Sequence, residues 1–179
     1  MTYKKLLVVL SILVLLVALS SINFAAEGKH KYGGVAICKG CHSNDAVGGT
    51  EYNTWKDKAH AGAYESLASD HSKEVAIKAG IEGDPQEPDE CLKCHVTAWE
   101  CEDLREATWK KEDGVGCESC HGAGKDYMPM NIMKDHDAAV ENGLLTADEA
   151  RCLECHNDES PTYKEFKLKE FMDAIKHWE

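Results

Sequence analysis

The sequence GVGCESCHGAG, residues 114–124, contains the pattern on which the fold depends. At its centre Cys117 and Cys120 are separated by two residues, and His121 follows at once. The same Cys-x-x-Cys-His spacing occurs at three other places, so eight of the nine cysteines belong to one repeated motif. The first, second and fourth copies end at His42, His95 and His156.

This motif is the attachment signature of a c-type haem. Two thiols about one helical turn apart add to the two vinyl groups of one porphyrin, and the adjacent imidazole then lies under the iron as its proximal ligand. Four copies therefore predict four covalently bound haem c groups. The attaching cysteines are predicted to be Cys38, Cys41, Cys91, Cys94, Cys117, Cys120, Cys152 and Cys155. The proximal iron ligands are predicted to be His42, His95, His121 and His156.

Paired cysteines also occur in disulfide frameworks and in zinc ribbons. The second and third motifs, at 91–95 and 117–121, come near to the spacing of a zinc ribbon. Neither alternative requires a histidine after every pair, so the haem interpretation explains more of the sequence. The ninth cysteine, Cys101, lies outside the motifs. A buried, unreactive thiol is its simplest role, with an intermolecular disulfide or iron ligation as alternatives.

Residues 1–26 have the three-part layout of a secretory signal. Lys4 and Lys5 form a positive start, and residues 6–19 carry no charge. This apolar run is shorter than the roughly 20 residues that cross a bilayer, although an uncleaved anchor is the alternative. The sequence thus predicts an exported protein, periplasmic, extracellular or at the cell surface, in which residues 27–179 form a single domain carrying four haems. Contact with a membrane is expected only if the leader stays uncleaved.

The charge of the chain is strongly acidic. The formal net charge is −12, and removal of a leader with two lysines and no acidic residue leaves −14. Such a surface disfavours nucleic acid and anionic lipid as partners. It favours redox proteins that dock through basic patches, with solubility alone as the alternative reason for the charge.

The apolar spacing predicts a mainly α-helical fold of short helices and long loops, with few or no strands. Residues 51–68 have helical periodicity, and His60 lies at the edge of their apolar stripe. Residues 146–149 have the spacing of a capping box that opens a helix running into the fourth motif. Shorter helical patterns occur at 72–78 and 167–178.

The apolar side chains are too few for an ordinary core. The chain has only three phenylalanines, and its apolar runs after the leader are short. We expect the polypeptide to wrap around four haems, whose apolar surface supplies the missing buried area. Without haem, the chain is expected to be largely unfolded.

Four stretches, taken in order, carry a resemblance to a known family. They are WKDKAHAGAYESL at 55–67, CLKCHV at 91–96, GVGCESCHGAG at 114–124, and the last motif at 152–156 with the helix that follows it. This series is similar to the cytochrome c-554 family and spans essentially the whole chain after the leader. The resemblance implies a mainly α-helical fold with haems in closely packed pairs. The best-known member of the family carries electrons from hydroxylamine oxidation in the periplasm.

The resemblance also implies further iron ligands. The histidine of the Trp-x-x-x-x-His-Ala motif, here His60, is the distal ligand of the fourth haem in the family. A histidine after the third motif, here His136, completes the first haem. The histidine that ends the C-terminal helix, here His177, completes the third. The second haem, on His95, is five-coordinate in the best-known member.

Three functions fit this arrangement. Iron with two imidazole ligands exchanges electrons without binding substrate, so the leading interpretation is an electron carrier between redox partners. An open haem on His95 instead fits a redox enzyme acting on nitric oxide, nitrite or hydroxylamine. The third function is self-association into a haem filament, in which His30 or His71 ligates an iron of a neighbouring chain. Either histidine could instead cap the second haem, and otherwise His30 and His71 are expected to be solvated.

Overall fold

The computed structural model describes residues 30–177, and within that range the chain forms ten short α-helices joined by turns and loops. The helices are α1 Val35–His42, α2 Glu51–Trp55, α3 Ala63–Ser66, α4 Asp70–Lys78, α5 Asp89–His95, α6 Cys117–His121, α7 Met130–Met133, α8 His136–Glu141, α9 Glu149–Leu153 and α10 Leu168–Ile175. Two 3-10 turns lie between α5 and α6, at Glu102–Leu104 and Lys111–Asp113. The expected signal peptide, residues 1–26, lies outside the described residues.

The predicted fold class is confirmed. Between residues 30 and 177 the structure contains no strand, only two isolated bridges, Tyr32 with Arg105 and Asn44 with Gly49. No helix in this range is both long and apolar enough to span a bilayer. The described chain is therefore a set of short helices and long loops.

The single helix predicted over residues 51–68 is wrong. The structure has two short helices there, α2 and α3, separated by turns at 56–62. The backbone carbonyl of His60 accepts a hydrogen bond from the distant Val115 amide at 3.0 Å. The indole of Trp55 donates to the Val115 carbonyl at 3.3 Å. These long-range bonds hold the backbone in a shape that the apolar periodicity alone does not reveal.

Gly114 permits this close approach of two backbone segments. Its φ is +64°, and a Cβ atom there would lie 2.8 Å from the carbonyl oxygens of both His60 and Ala61. A side chain at this position would therefore clash as well as strain the backbone. The segment before the third motif packs directly against the turn that carries His60.

The other helix predictions are confirmed with small shifts of boundary. The helix α4 begins after Ser69, whose hydroxyl accepts the Ser72 amide, and begins two residues earlier than predicted. The helix α9 is capped by Asp148 rather than by the predicted Thr146, because the Asp148 carboxylate accepts the Arg151 amide at 2.9 Å. The last helix, α10, is shorter than predicted and ends at Ile175.

The protein side chains form a small core around the second motif. Leu92 lies inside that motif and is 1% exposed, Val96 follows it directly, and both pack against Leu67. Trp99 and Trp109 are partly buried against the same cluster. This core fixes the position of α5 relative to the chain that leaves α3.

A buried carboxylate fixes the third motif in a similar way. Glu118 lies inside α6 and is 3% exposed. Its two carboxylate oxygens accept the backbone amides of Gly33, Gly34 and Gly124 at 2.7–2.9 Å. Burial raises the pKa of Glu118, while these three amide donors oppose that change. One side chain thus joins the N-terminal segment, α6 and the loop after it.

Candidate haem-binding sites

The four Cys-x-x-Cys-His motifs lie in helical turns. The first three end α1, α5 and α6 at their histidines. The fourth begins inside α9 at Cys152 and continues beyond it, where the amides of Cys155 and His156 both donate to the Cys152 carbonyl, at 3.3 and 3.0 Å. Residues three apart in a helical turn lie on one side of it. Both thiols of each motif can therefore reach one porphyrin edge.

Two proximal histidines are oriented through their Nδ1 atoms. His95 Nδ1 lies 2.7 Å from the backbone carbonyl of Ala63, so Nδ1 carries the hydrogen and donates it in a hydrogen bond to that oxygen. His42 Nδ1 lies 3.1 Å from a carboxylate oxygen of Glu51. A histidine held at Nδ1 presents Nε2 to a metal ion, which is how neighbouring groups orient metal ligands. Each of these two rings can therefore present its Nε2 atom to an iron.

The motifs are neighbours in two pairs. The thiols of Cys38 and Cys117 share a hydrogen bond, which raises the pKa of Cys38 and lowers that of Cys117. The thiols of Cys94 and Cys155 share another, which lowers the pKa of Cys94 to about 7 and raises that of Cys155. The first motif thus lies against the third, and the second against the fourth.

A further contact connects the two pairs. Burial raises the pKa of Cys120, and the nearby thiol of Cys152 adds to this effect. The third motif therefore also neighbours the fourth. Thr97, two residues beyond the second motif, also shares a hydrogen bond with Ser119 inside the third at 2.8 Å, so the four motifs form one cluster.

His60 and His156 face each other. Their ring centroids are 6.0 Å apart, at an interplanar angle of 46°. Two imidazoles on opposite sides of one metal ion each bind it through a metal–nitrogen bond of about 2 Å. With the nitrogen-to-centroid distance of each ring added, the two ring centroids are about 6 Å apart. The pair fits two axial ligands of one iron.

His121 and His177 have the same separation. Their ring centroids are 6.2 Å apart, at an angle of 83°. Burial lowers the pKa of His121, and the neighbouring His177 lowers it further. Burial likewise lowers the pKa of His60 and of His156. A lowered pKa favours the neutral imidazole, which is the form that binds metals.

The C-terminal segment connects the third and fourth motifs. Phe171 of α10 packs edge-on against the His156 ring at 5.0 Å, and Phe166 lies 4.6 Å from Phe171. His177 lies two residues beyond the end of α10. The packing of α10 against the fourth motif therefore places His177 next to the third motif.

His136 is placed differently. It is the first residue of α8, its side chain is 73% exposed, and its Nδ1 lies 3.7 Å from the carboxylate of Asp137. His42, its expected partner on the first haem, borders a cavity of about 220 Å³. His136 does not line this cavity, whereas Met128, Met130 and Met133 do. The ligation of the first iron by His136 stays a prediction.

Comparison with known proteins identifies the family. Residues 37–122 match the family model for cytochrome c554 and c-prime. The structure resembles that of reduced cytochrome c554 from Nitrosomonas europaea, with a TM-score of 0.59 and 26% identity, over 82% of this chain and 84% of that chain. The curated cytochrome c-554 of the same organism is 32% identical over an alignment of 146 positions that covers 73% of this chain. The chain belongs to the cytochrome c-554 family. It spans 57% of the length of that curated relative.

Members of the cytochrome c-554 family are c-type cytochromes, so the cofactor of this chain is covalently bound haem c. All nine cysteines lie within the described residues, and none of them forms a disulfide there. No three histidine, cysteine or carboxylate side chains among residues 30–177 converge on a point that could hold a metal ion. The thiol contacts join Cys94 to Cys155 and Cys117 to Cys38, a pairing that differs from the zinc ribbon weighed above.

Two features of this family member escaped the sequence reasoning. Glu118 is an ordinary variable position of a Cys-x-x-Cys-His motif, and nothing in its neighbours predicts three amide partners. The methionines at the first motif have a weak signal, since Met130 and Met133 have the spacing of one helix face. That spacing is equally typical of core packing, so it does not single out a haem site.

Proposed function

We propose that the mature chain is an exported cytochrome with four haems that transfers electrons between redox proteins. Haem iron supplies one-electron oxidation and reduction when bound. The polypeptide attaches the groups through its four motifs, sets their axial ligands and limits their contact with water. Membership of the cytochrome c-554 family supports the class of protein, and the four intact motifs support the number of haems.

The proximity of the four attachment sites is the observation that carries this proposal. Thiols of the first and third motifs touch, as do those of the second and fourth, and the third and fourth motifs are neighbours. An enzyme with one reactive centre does not need four contiguous attachment sites. A carrier that passes electrons from one haem to the next does need its attachment sites close together.

The facing imidazole pairs support electron transfer over catalysis. His60 with His156, and His121 with His177, have the separation of axial ligands on one iron. An iron held on both sides by the protein has no open position for a substrate. These two sites would therefore exchange electrons only, and the site on His95 is where an enzymatic function would have to reside.

The acidic charge supports cationic partners. A mature net charge of −14 attracts redox proteins through basic patches and repels nucleic acid. We place the protein in the periplasm or outside the cell, because its N-terminal sequence resembles a secretory signal. Membrane contact would then require that this segment remain uncleaved.

The test is a count of haems and of open irons in the purified mature protein. The pyridine haemochrome assay and the intact mass should both give four covalent haems per chain. Electron paramagnetic resonance of the ferric protein should be mainly low-spin, and the reduced protein should pass electrons to a cationic redox protein. Fewer than four haems would contradict the proposal. Turnover of nitric oxide, nitrite or hydroxylamine at an iron bound by His95 would replace it with the enzyme alternative.

A further inference from the structure

The first motif borders a cavity of about 220 Å³ whose lining is rich in sulfur. Its residues of chemical interest are Cys38, Cys41, His42, Met128, Met130 and Met133. Among the described residues lining the cavity, the only imidazole is that of His42. The cavity is thus lined both by the two attaching thiols and the proximal imidazole of one haem and by three thioethers.

The sulfur-bearing wall is a defined turn of helix. Pro129 precedes α7, and its carbonyl accepts the amides of Ile132 and Met133 at 2.8 and 2.9 Å. Met130 and Met133 are three residues apart and therefore lie on the same side of this turn. Met130 is 51% exposed, whereas Met133 is half-buried. Met133 is accordingly the most enclosed of the three thioethers.

The segment that leads to α7 is firmly anchored. The Gly124 amide donates to the buried Glu118 carboxylate at 2.7 Å, and the Met128 amide donates to the Gly124 carbonyl at 2.9 Å. Tyr127 is buried, and its hydroxyl donates to the Gly122 carbonyl at 3.1 Å. Hydrogen bonds to the third motif and the loop after it therefore fix the segment that carries the methionines beside the cavity.

His136 competes for the same role and is less well placed. It begins α8, which Asp135 caps by accepting the Ala138 amide at 3.2 Å. Its ring is largely exposed and lies beside the carboxylate of Asp137. It has no share in the lining of the cavity.

We propose that the thioether of Met133, rather than the imidazole of His136, is the second axial ligand of the iron that His42 holds. This inference rests on the proposed function, since it concerns one of the four haems. A thioether stabilises ferrous over ferric iron, so His/Met ligation raises the reduction potential above that of a site with two histidines. The first haem then has a higher potential than the two sites that pair His60 with His156 and His121 with His177. Electrons from those sites would flow toward it.

The experiment uses the holoprotein and a spectroscopic signature of the ligand. Ferric haem with a methionine ligand has a sulfur-to-iron charge-transfer band in the red, which two histidines do not give. The wild type should show this band at an intensity equal to one haem in four. Met133→Leu removes the sulfur and keeps the bulk, so it should abolish the band and lower one of the four potentials. Met172→Leu, on α10, is the matched control and should leave the band intact.

The competing ligand is tested with His136→Ala. If Met133 is the ligand, this variant keeps the band and all low-spin signals. The proposal is overturned if a wild-type protein with four haems lacks the band. It is also overturned if His136→Ala converts one haem to high spin, or if the band survives Met133→Leu and is lost in Met130→Leu. The haem count is measured on every variant, so a failure of attachment, which concerns the proposed function, is distinguished from a failure of this ligand assignment.

Discussion

The imidazole of His177, two residues beyond the last helix, lies 6.2 Å from the imidazole of His121 at an angle of 83°. The contact joins the end of the described chain to the third motif. It depends on α10, whose Phe171 packs against the ring of His156. A single C-terminal segment therefore supports two of the four motifs.

Replacing His177 by alanine should open the third iron. We expect His177→Ala to convert one haem in four from low spin to high spin, with covalent attachment intact, because the thiols of that motif are unaffected. Electron paramagnetic resonance of the ferric protein measures the change. His71→Ala, an exposed change on α4, is the control and should leave the spectrum as it was. A His177→Ala spectrum equal to that of the wild type would show that the third iron has another ligand.

The same reasoning applies to His60 and the fourth haem. His60→Ala should also give one high-spin haem in four, and the double variant with His177→Ala should give two. The effects should be additive, because the two imidazole pairs belong to different irons. A double variant with only one high-spin haem would mean that the two histidines serve a common site.

The sequence predicted the chemistry of the sites better than the shape of the chain between them. The site formed by Cys117, Cys120 and His121 can be predicted from neighbouring residues alone, because two thiols and an imidazole must meet one porphyrin within a single turn. The break in the predicted 51–68 helix cannot be predicted in this way, since it depends on a hydrogen bond from the distant Val115 amide to the His60 carbonyl. The contact of Cys94 with Cys155 likewise joins parts of the chain that no periodicity relates.

Removing haem should unfold the protein. The buried hydrophobic core of the described part of the chain has only eight residues, and three of them, Leu67, Leu92 and Val96, form the small cluster at the second motif. At about 25 cal/mol per Å², so little buried area cannot offset the loss of chain entropy. Protein made without the haem-attachment system should lack the far-ultraviolet circular dichroism of a helical protein and should be digested rapidly by protease. A cooperative thermal transition in that apoprotein would contradict this expectation.

Neutralising Glu118 should weaken the fold around the third motif. Glu118→Gln places an amide group where three backbone amides need acceptors, so at least one buried donor loses its partner. The expected cost is about 1–3 kcal/mol in the free energy of unfolding. Chemical denaturation of the holoprotein measures it. Glu154→Gln is the matched control, since Glu154 also lies between the cysteines of a motif but is exposed and should change stability little.

The acidic surface should make partner binding sensitive to salt. The Debye length falls from about 30 Å at 0.01 M salt to about 10 Å at 0.1 M. The rate of electron transfer to a cationic redox protein should therefore fall about tenfold or more across that range. Stopped-flow mixing measures the rate, and an anionic redox protein is the control, for which the rate should rise. A rate to the cationic protein that does not change with salt would show that the charge has no part in docking.

The alternating arrangement of the motifs has a consequence for biogenesis. If the chain is exported as proposed, the second motif leaves the export channel well before the fourth, yet its thiol partner, Cys155, lies near the C-terminus. A haem attached early at the second motif therefore lacks its neighbouring fourth motif until the last part of the chain has emerged. Cutting the polypeptide between the second and third motifs would separate both thiol contacts, Cys38 with Cys117 and Cys94 with Cys155, so neither fragment would retain a matched pair.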